Sequence, residues 1–417
     1  MRFLLGGFGT RGDVQPMLAL GLALRDRGHQ VRFVGPPDFA SWASELGFEW
    51  VSMGESMEKL LARIHDKNGD MSLRAGFRAV AEQVGNHYRW MEPLVQECDV
   101  IVAASLTAAG ASFAEKYGKR YHYVAFCPQI IPSAHHPITL VTSQKLPRWL
   151  NRLSWSVGRL ANNAVLRKAI NGERMRLGLP AIADPYSHVL YQRLLVASDP
   201  SLAPLPADVP PNMATQTGAW FMPESEELPA DVEAFLAAGP PPVYVGFGSM
   251  QDPAPVETSR RVLDAVRRAG ARVLLSRGWA GLGDVELPST ALLLGSVPHG
   301  KLFSRCAAVV HHGGAGTTAN ATRAGVPQVV VPHIVDQFYW GHRVWKLGLS
   351  PPPIPKRRLR AEALAAAIRT CIEDAGLRQR AASFANNIRT DGLARAIAIL
   401  EGDESSAHMG LPRLRGQ

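Results

Sequence analysis

The chain has 417 residues, 46% of them hydrophobic and 19% charged, a composition typical of a globular protein long enough for two domains. No apolar stretch reaches the roughly eighteen residues of a membrane span, the first apolar run is too short for a signal peptide, and four scattered cysteines argue against a disulfide framework or a zinc knuckle. We therefore expect a cytoplasmic protein. Its net charge of +9 comes with no nucleic-acid-binding motif, so nucleic acid is not an expected partner.

The first half of the chain alternates predicted strands and helices. Buried strands are predicted at residues 3–5, 31–34, 99–103 and 121–125. An apolar-faced helix over 14–27 ends at Gly28, and residues 52–97, too long for a simple crossover, are expected to form helices or a loop over a cleft. This alternation predicts a parallel sheet with helices on both faces.

A basic segment follows between residues 140 and 178. Its single acidic residue, Glu173, stands against eight basic residues: Lys145, Arg148, Arg152, Arg159, Arg167, Lys168, Arg174 and Arg176. Apolar residues recur between them at helical spacing, which predicts an amphipathic helix. Two interpretations remain open. The segment is either a solvated helix face packed on its own domain, or a surface over 145–176 that makes peripheral contact with an anionic membrane or a lipid-borne acceptor.

The pattern restarts after a proline-rich segment at 200–211. Strands are predicted at 243–247, 273–275, 291–293, 307–310 and 329–331, with a helix over about 256–269. The fold class is therefore α/β, with two doubly wound Rossmann-like domains that face a central cleft. We divide the chain into a first domain over 1–203, a linker over 204–217, a second domain over 218–380, a helix over 381–400 and a disordered tail over 401–417.

The segment from His311 to Thr318 reads His-His-Gly-Gly-Ala-Gly-Thr-Thr and stands between a predicted strand and a predicted helix. Backbone N–H groups at a helix N-terminus lack partners, the helix dipole favours negative charge there, and glycine lets a phosphate approach closely. We predict that Gly314, Gly316 and Thr317 form a diphosphate cradle, to which His312 adds a ring N–H donor.

Asp336 and Gln337 follow the next predicted strand. A carboxylate accepts hydrogen bonds and an amide both donates and accepts them, which suits the neighbouring hydroxyls of a sugar. Together with the cradle, this pair predicts a site for a sugar nucleotide.

The same residues carry a family resemblance. The segments 295–299, 312–318, 324–327 and 336–341 resemble the donor-binding signature of nucleotide-sugar-dependent glycosyltransferases of the GT-B fold. Residues 9–16, Gly-Thr-Arg-Gly-Asp-Val-Gln-Pro, resemble the opening motif of bacterial natural-product (glycopeptide and macrolide type) and sterol glycosyltransferases. The resemblance implies an acceptor-binding first domain, a nucleotide-sugar-binding second domain, and a last helix that crosses back to the first.

Other classes have to be weighed against this family. Residues 7–12 also read Gly-x-Gly-x-x-Gly, the fingerprint of NAD-binding folds. That fingerprint needs an acidic residue at the end of the second strand, where this chain has Val-Gly-Pro-Pro at 34–37, so an NAD-binding oxidoreductase is disfavoured. A nucleotide-sugar 2-epimerase of similar fold and a catalytically inactive scaffold protein stay as alternatives.

Asp13 stands just before a predicted helix, where an aspartate routinely caps the N-terminus. The resemblance implies a second role, the general base that takes the proton of the acceptor hydroxyl. Because a helix N-terminus stabilises the ionised carboxylate, we expect a weak base. The resemblance also implies a phosphate contact at Ser249, and we place Thr10 of the opening motif with the donor sugar.

The implied reaction is an inverting displacement that moves a hexose from a UDP- or dTDP-sugar. No Asp-x-Asp motif occurs, so protein dipoles are expected to stabilise the leaving group, and neither a metal nor a cofactor is predicted. The resemblance implies backbone contacts from Val297 to the pyrimidine, and Arg277 and Trp279 are further candidates for the nucleoside.

Residues 52–97 and 126–160 carry more apolar side chains than two crossover connections need. Flexible methionines and aromatic rings beside a cleft suit a hydrophobic small-molecule acceptor such as a polyketide, macrolide, sterol or other lipid. Core packing is the commoner role of any single member. The acceptor-lining candidates are Met57, Met71, Phe126, Ile131 and His135.

Overall fold

The computed structural model describes residues 1–64, 72–223 and 227–402. Two parallel β-sheets make up its centre, and helices cover both faces of each. Most of the predicted tail, and Met71 with it, lies outside the described residues.

The first domain is built on one sheet. Its elements are β1 (Arg2–Phe8), α1 (Arg11–Asp26), β2 (Gln30–Gly35), α2 (Ala40–Glu45), β3 (Glu49–Ser52), α3 (Met57–Ile64), α4 (Leu73–Gln96), β4 (Val100–Ser105), α5 (Gly110–Tyr117), β5 (Arg120–Ala125), α6 (Arg148–Arg176), α7 (Pro185–Leu190), β6 (Leu194–Val196) and β7 (Ala214–Gln216). Within the described ranges the strand order is β3-β2-β1-β4-β5-β6-β7, with every neighbouring pair parallel.

Two hydrophobic cores sandwich this sheet. Successive side chains of a strand point to opposite faces, so Leu4 packs into the core under α4 and α5, whereas Phe3 and Leu5 pack into the core under α1. The strands read as continuous apolar runs because both faces are covered. This burial fixes the positions of the strand ends, where polar residues begin.

The second domain repeats the plan. Its elements are α8 (Ala230–Ala237), β8 (Val243–Gly246), α9 (Pro255–Arg268), β9 (Val273–Ser276), β10 (Ala291–Leu294), α10 (His299–Phe303), β11 (Ala308–His311), α11 (Ala315–Arg323), β12 (Gln328–Val330), α12 (Gln337–Lys346), α13 (Ala361–Glu373) and α14 (Ala375–Ala385). A last helix, α15 (Gly392–Glu401), follows them. The described strands of the second domain run in the order β10-β9-β8-β11-β12, again all parallel.

The connections between the domains differ from the sequence expectation in two places. Within the predicted linker at 204–217, residues 214–216 form β7 and pair with β6 of the first sheet. The predicted helix over 381–400 is two helices, α14 and α15, separated at a turn where the Asp199 carboxylate accepts the N–H of Arg389 at 2.7 Å.

The last helix, α15, lies on the first domain. Ala396, Ile397 and Leu400 pack in the core under α1. Glu401 at its end accepts hydrogen bonds from Arg27 Nε at 2.8 Å and pairs with His29 Nε2 at 2.9 Å. The chain therefore passes from the first domain to the second and returns, which ties the two domains together at a second point.

Candidate active site

The carboxyl ends of the two sheets face each other. The first turns of two helices of the first domain contact loops that follow strands of the second sheet. Arg11 Nη1 of α1 donates to Ser296 Oγ at 3.2 Å, and Gln251 Nε2 donates to the carbonyl of Glu58 in α3 at 3.0 Å. In parallel α/β sheets, ligands bind at the carboxyl ends of strands. The cleft between the domains is therefore the candidate active site.

Asp13 sits in the first turn of α1, directly after β1. Thr10, the residue before the helix, donates its N–H to Asp13 Oδ2 at 2.7 Å and its hydroxyl to the same oxygen at 3.2 Å. Ser105 Oγ donates to Asp13 Oδ1 at 2.6 Å. Each carboxylate oxygen is thus held by the protein, and the side chain keeps partial access to the cleft.

Burial in the cleft raises the pKa of Asp13 above its ordinary value, although the hydrogen bonds from Ser105 and Thr10 lower it. The expectation of a weak base at a helix N-terminus is therefore wrong in direction, because desolvation of the carboxylate outweighs the stabilising donors. A raised pKa makes the carboxylate a better proton acceptor once it is ionised.

Ser105 was not predicted from the sequence. It ends β4 directly opposite Phe8 of β1, in the left-handed region at φ +58°, which residues other than glycine rarely adopt. The Tyr123 hydroxyl holds it there by donating to its carbonyl oxygen at 2.5 Å. The available signal is a polar residue at the carboxyl end of a buried strand, but only the sheet order shows that this strand lies beside β1.

Ser105→Gly tests this contact, because glycine adopts the same φ without strain and lacks the hydroxyl. For Asp13 as the predicted base, loss of a hydrogen bond that lowers its pKa would move the acid limb of the kcat/KM profile to higher pH, since a base acts only when it is ionised. We expect roughly two- to tenfold lower kcat/KM at the acid end and a smaller change at alkaline pH. Ser105→Asn, which tolerates this φ and restores a donor, should recover the profile; an unchanged profile in the glycine variant would contradict the role of Ser105.

The second domain contributes the predicted cradle. Gly314 precedes α11, whose first bond runs from Thr318 N to the Gly314 carbonyl at 2.9 Å. The N–H groups of residues 315–317 come before that bond, so they have no partner within the helix. Gly316 is exposed and Thr317 half-buried, so this turn is accessible to an anion.

The His312 ring packs closely against Gly248 and Gly314. A Cβ at Gly314 would lie 2.4 Å from its Nε2, and a Cβ at Gly248, where φ is +59°, would lie 2.9 Å from its Cε1. The imidazole Nδ1 is buried without a hydrogen-bond partner, and burial holds the pKa of His312 well below its usual value. The ring is therefore neutral and retains an unused polar atom close to Gly248. Ser249, the next residue, ends the glycine turn after β8 and is 8% exposed.

The neighbouring His311 has a structural role that the sequence did not indicate. Its Nδ1 accepts the N–H of Gly313 at 3.1 Å, and its Nε2 pairs with Gln328 Oε1 at 2.9 Å. The Gln328 amide in turn donates to Thr322 Oγ1 at 2.9 Å. This buried chain of hydrogen bonds joins β11, β12 and α11, so it fixes the turn that contains His312.

Asp336 lies at the start of α12, half-buried in the cleft. Its Oδ2 accepts the indole N–H of Trp340 at 3.2 Å. Burial, and next the charge of Asp13, raise the pKa of Asp336 to about 7. The two carboxyl groups therefore interact electrostatically across the cleft.

The Gln337 side chain forms hydrogen bonds within the loop that precedes α12. Its Oε1 accepts the N–H groups of His333 at 2.8 Å and Ile334 at 3.1 Å, and its Nε2 contacts Met250 Sδ at 3.2 Å. At 4% exposure, the amide shapes the loop that carries Asp336. Its assignment to the donor sugar stays a prediction.

The nucleoside candidates lie on neighbouring loops. Arg277 is exposed and Val297 half-buried. The backbone N–H of Trp279 donates to the Gly248 carbonyl at 3.0 Å. The Trp279 ring stacks on Phe39 of the first domain with a centroid distance of 6.3 Å. Part of the Trp279 surface is thus occupied by the other domain, and the three nucleoside assignments stay predictions.

The acceptor candidates separate into two groups. Met57 at 3% exposure and Ile131 at 0% are packed in the core of the first domain, so in this conformation they offer no surface to an acceptor. Phe126 is half-buried beyond β5 and His135 is exposed. The acceptor prediction therefore depends on these two and on side chains yet to be identified.

Within the described ranges, no group of three or more His, Cys, Asp or Glu side chains is arranged to hold a metal ion. A search of the same residues finds no helix with the length and apolar character needed to cross a bilayer.

Two known domain families match the chain. Residues 3–135 match the glycosyltransferase family 28 N-terminal domain, and residues 260–398 match the erythromycin biosynthesis protein CIII-like C-terminal domain. The first match contains Asp13 and Ser105, and the second contains the cradle and Asp336.

Whole-chain comparisons agree. The chain is 37% identical over 408 residues to the vancomycin aglycone glucosyltransferase of Amycolatopsis orientalis, covering 96% of this chain and 97% of the relative. It is 32% identical over 391 residues to a sterol 3-beta-glucosyltransferase of Arabidopsis thaliana, covering 88% of this chain and 62% of that protein. The crystal structure of the glycosyltransferase of kitacinnamycin superposes with a TM-score of 0.73 at 20% identity, over 96% of this chain and 98% of that one.

Proposed function

The chain belongs to the family of natural-product and sterol glycosyltransferases, and from that premise we propose an inverting enzyme that moves a hexose from a UDP- or dTDP-sugar to a hydroxyl of a hydrophobic small molecule. The observation that carries this proposal is the placement of Asp13. Its carboxylate, oriented by Ser105 and Thr10, faces Asp336 and the helix N-terminus of the other domain across one cleft.

Asp13 acts as the general base. The acceptor hydroxyl gives its proton to the Asp13 carboxylate, and its oxygen forms a bond to the anomeric carbon of the donor. The bond from that carbon to the diphosphate oxygen breaks at the same time. Because attack and departure occur on opposite faces of the sugar, the configuration at that carbon inverts.

The departing nucleoside diphosphate leaves into the cradle. The N–H groups of residues 315–317, the neutral ring of His312 and the hydroxyl of Ser249 meet its charge. Fixed donors at a site of developing charge lower the barrier without reorganisation. We propose that these dipoles suffice and that transfer needs no divalent cation or cofactor.

The direct test incubates the protein with UDP-glucose or dTDP-glucose over a panel of hydrophobic aglycones and follows nucleotide release with and without acceptor, in the presence of EDTA. Acceptor-dependent release with a β-linked product from the α-linked donor supports the proposal. Release of an epimerised sugar nucleotide without acceptor would instead identify a 2-epimerase, and a retained anomeric configuration would exclude the inverting mechanism.

Asp336→Ala separates sugar recognition from nucleotide recognition. Because we assign this carboxyl to the donor's hydroxyls, the variant should bind free UDP or dTDP like the wild type, yet bind the sugar nucleotide roughly tenfold or more weakly. Titration calorimetry with both ligands measures the difference, and Asp374→Ala, at the start of α14 outside the cleft, is the control. An equal loss for both ligands would show that Asp336 holds the nucleotide or the fold instead.

A further inference from the structure

The helix α6 presents an apolar stripe to solvent. Trp149, Leu153, Val157 and Leu160 recur at three- and four-residue spacing, with exposed fractions of 64%, 50%, 58% and 70%. At the rise of an α-helix the stripe is roughly 16 Å long. A contiguous patch of large apolar side chains on a soluble surface marks a place where something else binds.

The exposed stripe is not the face through which α6 packs on its own domain, because a different face of the helix makes those contacts. Trp155, at 5% exposure, donates its indole N–H to the carbonyl of His136 at 3.1 Å, and Asn151 Nδ2 donates to the carbonyl of Ala134 at 2.9 Å. Gly158 is also buried on that side. The helix is therefore apolar on two faces, and one of them has no partner within the described chain.

Charge identifies the partner. From residue 148 to residue 168 the helix carries five basic residues and no acidic one. On a helical projection Arg148, Arg152 and Arg159 line one flank of the stripe, and all three are exposed. A tryptophan-containing apolar stripe with an arginine flank inserts into a lipid interface while its charges meet anionic headgroups.

We propose that the solvent face of α6 docks the protein on a membrane surface that carries anionic lipids. The helix lies in the plane of the interface, with Trp149 and Leu160 among the acyl chains and Arg148 and Arg152 at the phosphates. This inference rests on exposure and charge alone and does not require the proposed donor chemistry or base.

The location of α6 connects the docking surface to the cleft. The loop under its buried face places the His136 ring against Tyr339 of α12, with a centroid distance of 5.8 Å, close to Asp336. Just before α6, Lys145 Nζ lies 4.7 Å from the ring of Trp345 in the second domain. Docking through α6 therefore holds the junction of the two domains near the lipid surface, where a hydrophobic acceptor accumulates.

Co-sedimentation of the full chain with vesicles tests the proposal. We expect binding to vesicles of phosphatidylcholine with phosphatidylglycerol, weak binding to phosphatidylcholine alone, and loss of the difference near 1 M salt, where the Debye length is about 3 Å. Arg148→Gln with Arg152→Gln should lower partitioning about 25-fold, from about fivefold per arginine. Trp149→Ser with Leu160→Ser should lower it at least about tenfold.

Matched controls distinguish the stripe from general charge and hydrophobicity. Arg260→Gln with Arg378→Gln removes the same charge from exposed sites on α9 and α14, and Trp90→Ser removes an exposed tryptophan from α4; both should partition like the wild type. All variants should bind UDP or dTDP normally in vesicle-free solution, which confirms that they fold.

Three results would overturn the proposal. The first is equal binding to both kinds of vesicle at low salt. The second is wild-type binding by both double variants, Arg148→Gln with Arg152→Gln and Trp149→Ser with Leu160→Ser. The third is a self-associated species in sedimentation velocity that disappears in Trp149→Ser with Leu160→Ser. The last result would make the stripe an interface between copies of this chain.

Discussion

Asp13→Asn is expected to lower turnover by about two to four orders of magnitude, which is the usual contribution of a positioned general base. The amide has nearly the shape of the carboxylate. It can still accept the N–H of Thr10, and the Ser105 hydroxyl can rotate to accept from its nitrogen, so the local structure should survive. What is lost is the ability to take a proton from the acceptor.

The measurement is kcat for glycosyl transfer together with the dissociation constant of UDP or dTDP. Nucleotide affinity should stay within about twofold, because the cradle lies in the other domain and the Asn amide oxygen can still accept the N–H of Thr10, the residue that precedes α1. Asp26→Asn, an exposed aspartate at the other end of α1, is the matched control and should be fully active. Near-normal turnover by Asp13→Asn would mean that another group is the base.

The pH profile gives an independent check on Asp13. The base is active when ionised, so kcat/KM falls as the pH drops through its pKa. Burial raises that pKa, and the acid limb of the wild type should therefore lie above the value for an ordinary aspartate. This limb should disappear from the residual activity of Asp13→Asn.

Much of the fold was predictable because the signal is local. Strands β1 and β4 are nearly continuous apolar runs, β2 and β5 contain shorter buried runs, and the long helix α6 shows its amphipathic period in the sequence. β3 and β7 were not predicted, since polar residues interrupt both strands and they are only partly buried. β6 was missed although all three of its residues are buried.

The positions of candidate residues were predictable where one motif supplies them, as for Asp13 and the turn before α11, while their chemical roles stay predictions. The positions were not predictable where two distant strands must first be placed side by side. Ser105 reaches Asp13 only because β4 pairs with β1, and His311 reaches Gln328 only because β11 pairs with β12. The pKa of Asp13 likewise depends on how deeply the carboxyl is buried in the folded protein, which no local pattern contains.

His312→Ala is expected to weaken binding of UDP or dTDP by roughly 10- to 150-fold, the effect of losing a hydrogen bond to a charged group. The ring lies against Gly248 and Gly314 at distances that leave no room for a Cβ at either position. It is held neutral by burial, so its contribution is a directed N–H rather than a full positive charge. Truncation removes that donor and also the surface that keeps the two glycine turns apart.

Calorimetric titration of the nucleotide, with His342→Ala as the control, tests this role. His342 lies on α12 with its ring against Trp345, away from the cradle, so its loss should leave nucleotide affinity unchanged. His312→Gln separates the two contributions of the ring: an amide donor that restores part of the affinity indicates a hydrogen bond to the diphosphate, whereas a loss equal to that of alanine indicates that the shape of the ring matters most. Wild-type affinity in His312→Ala would remove His312 from the cradle and leave the helix N–H groups and Ser249 as the predicted donors.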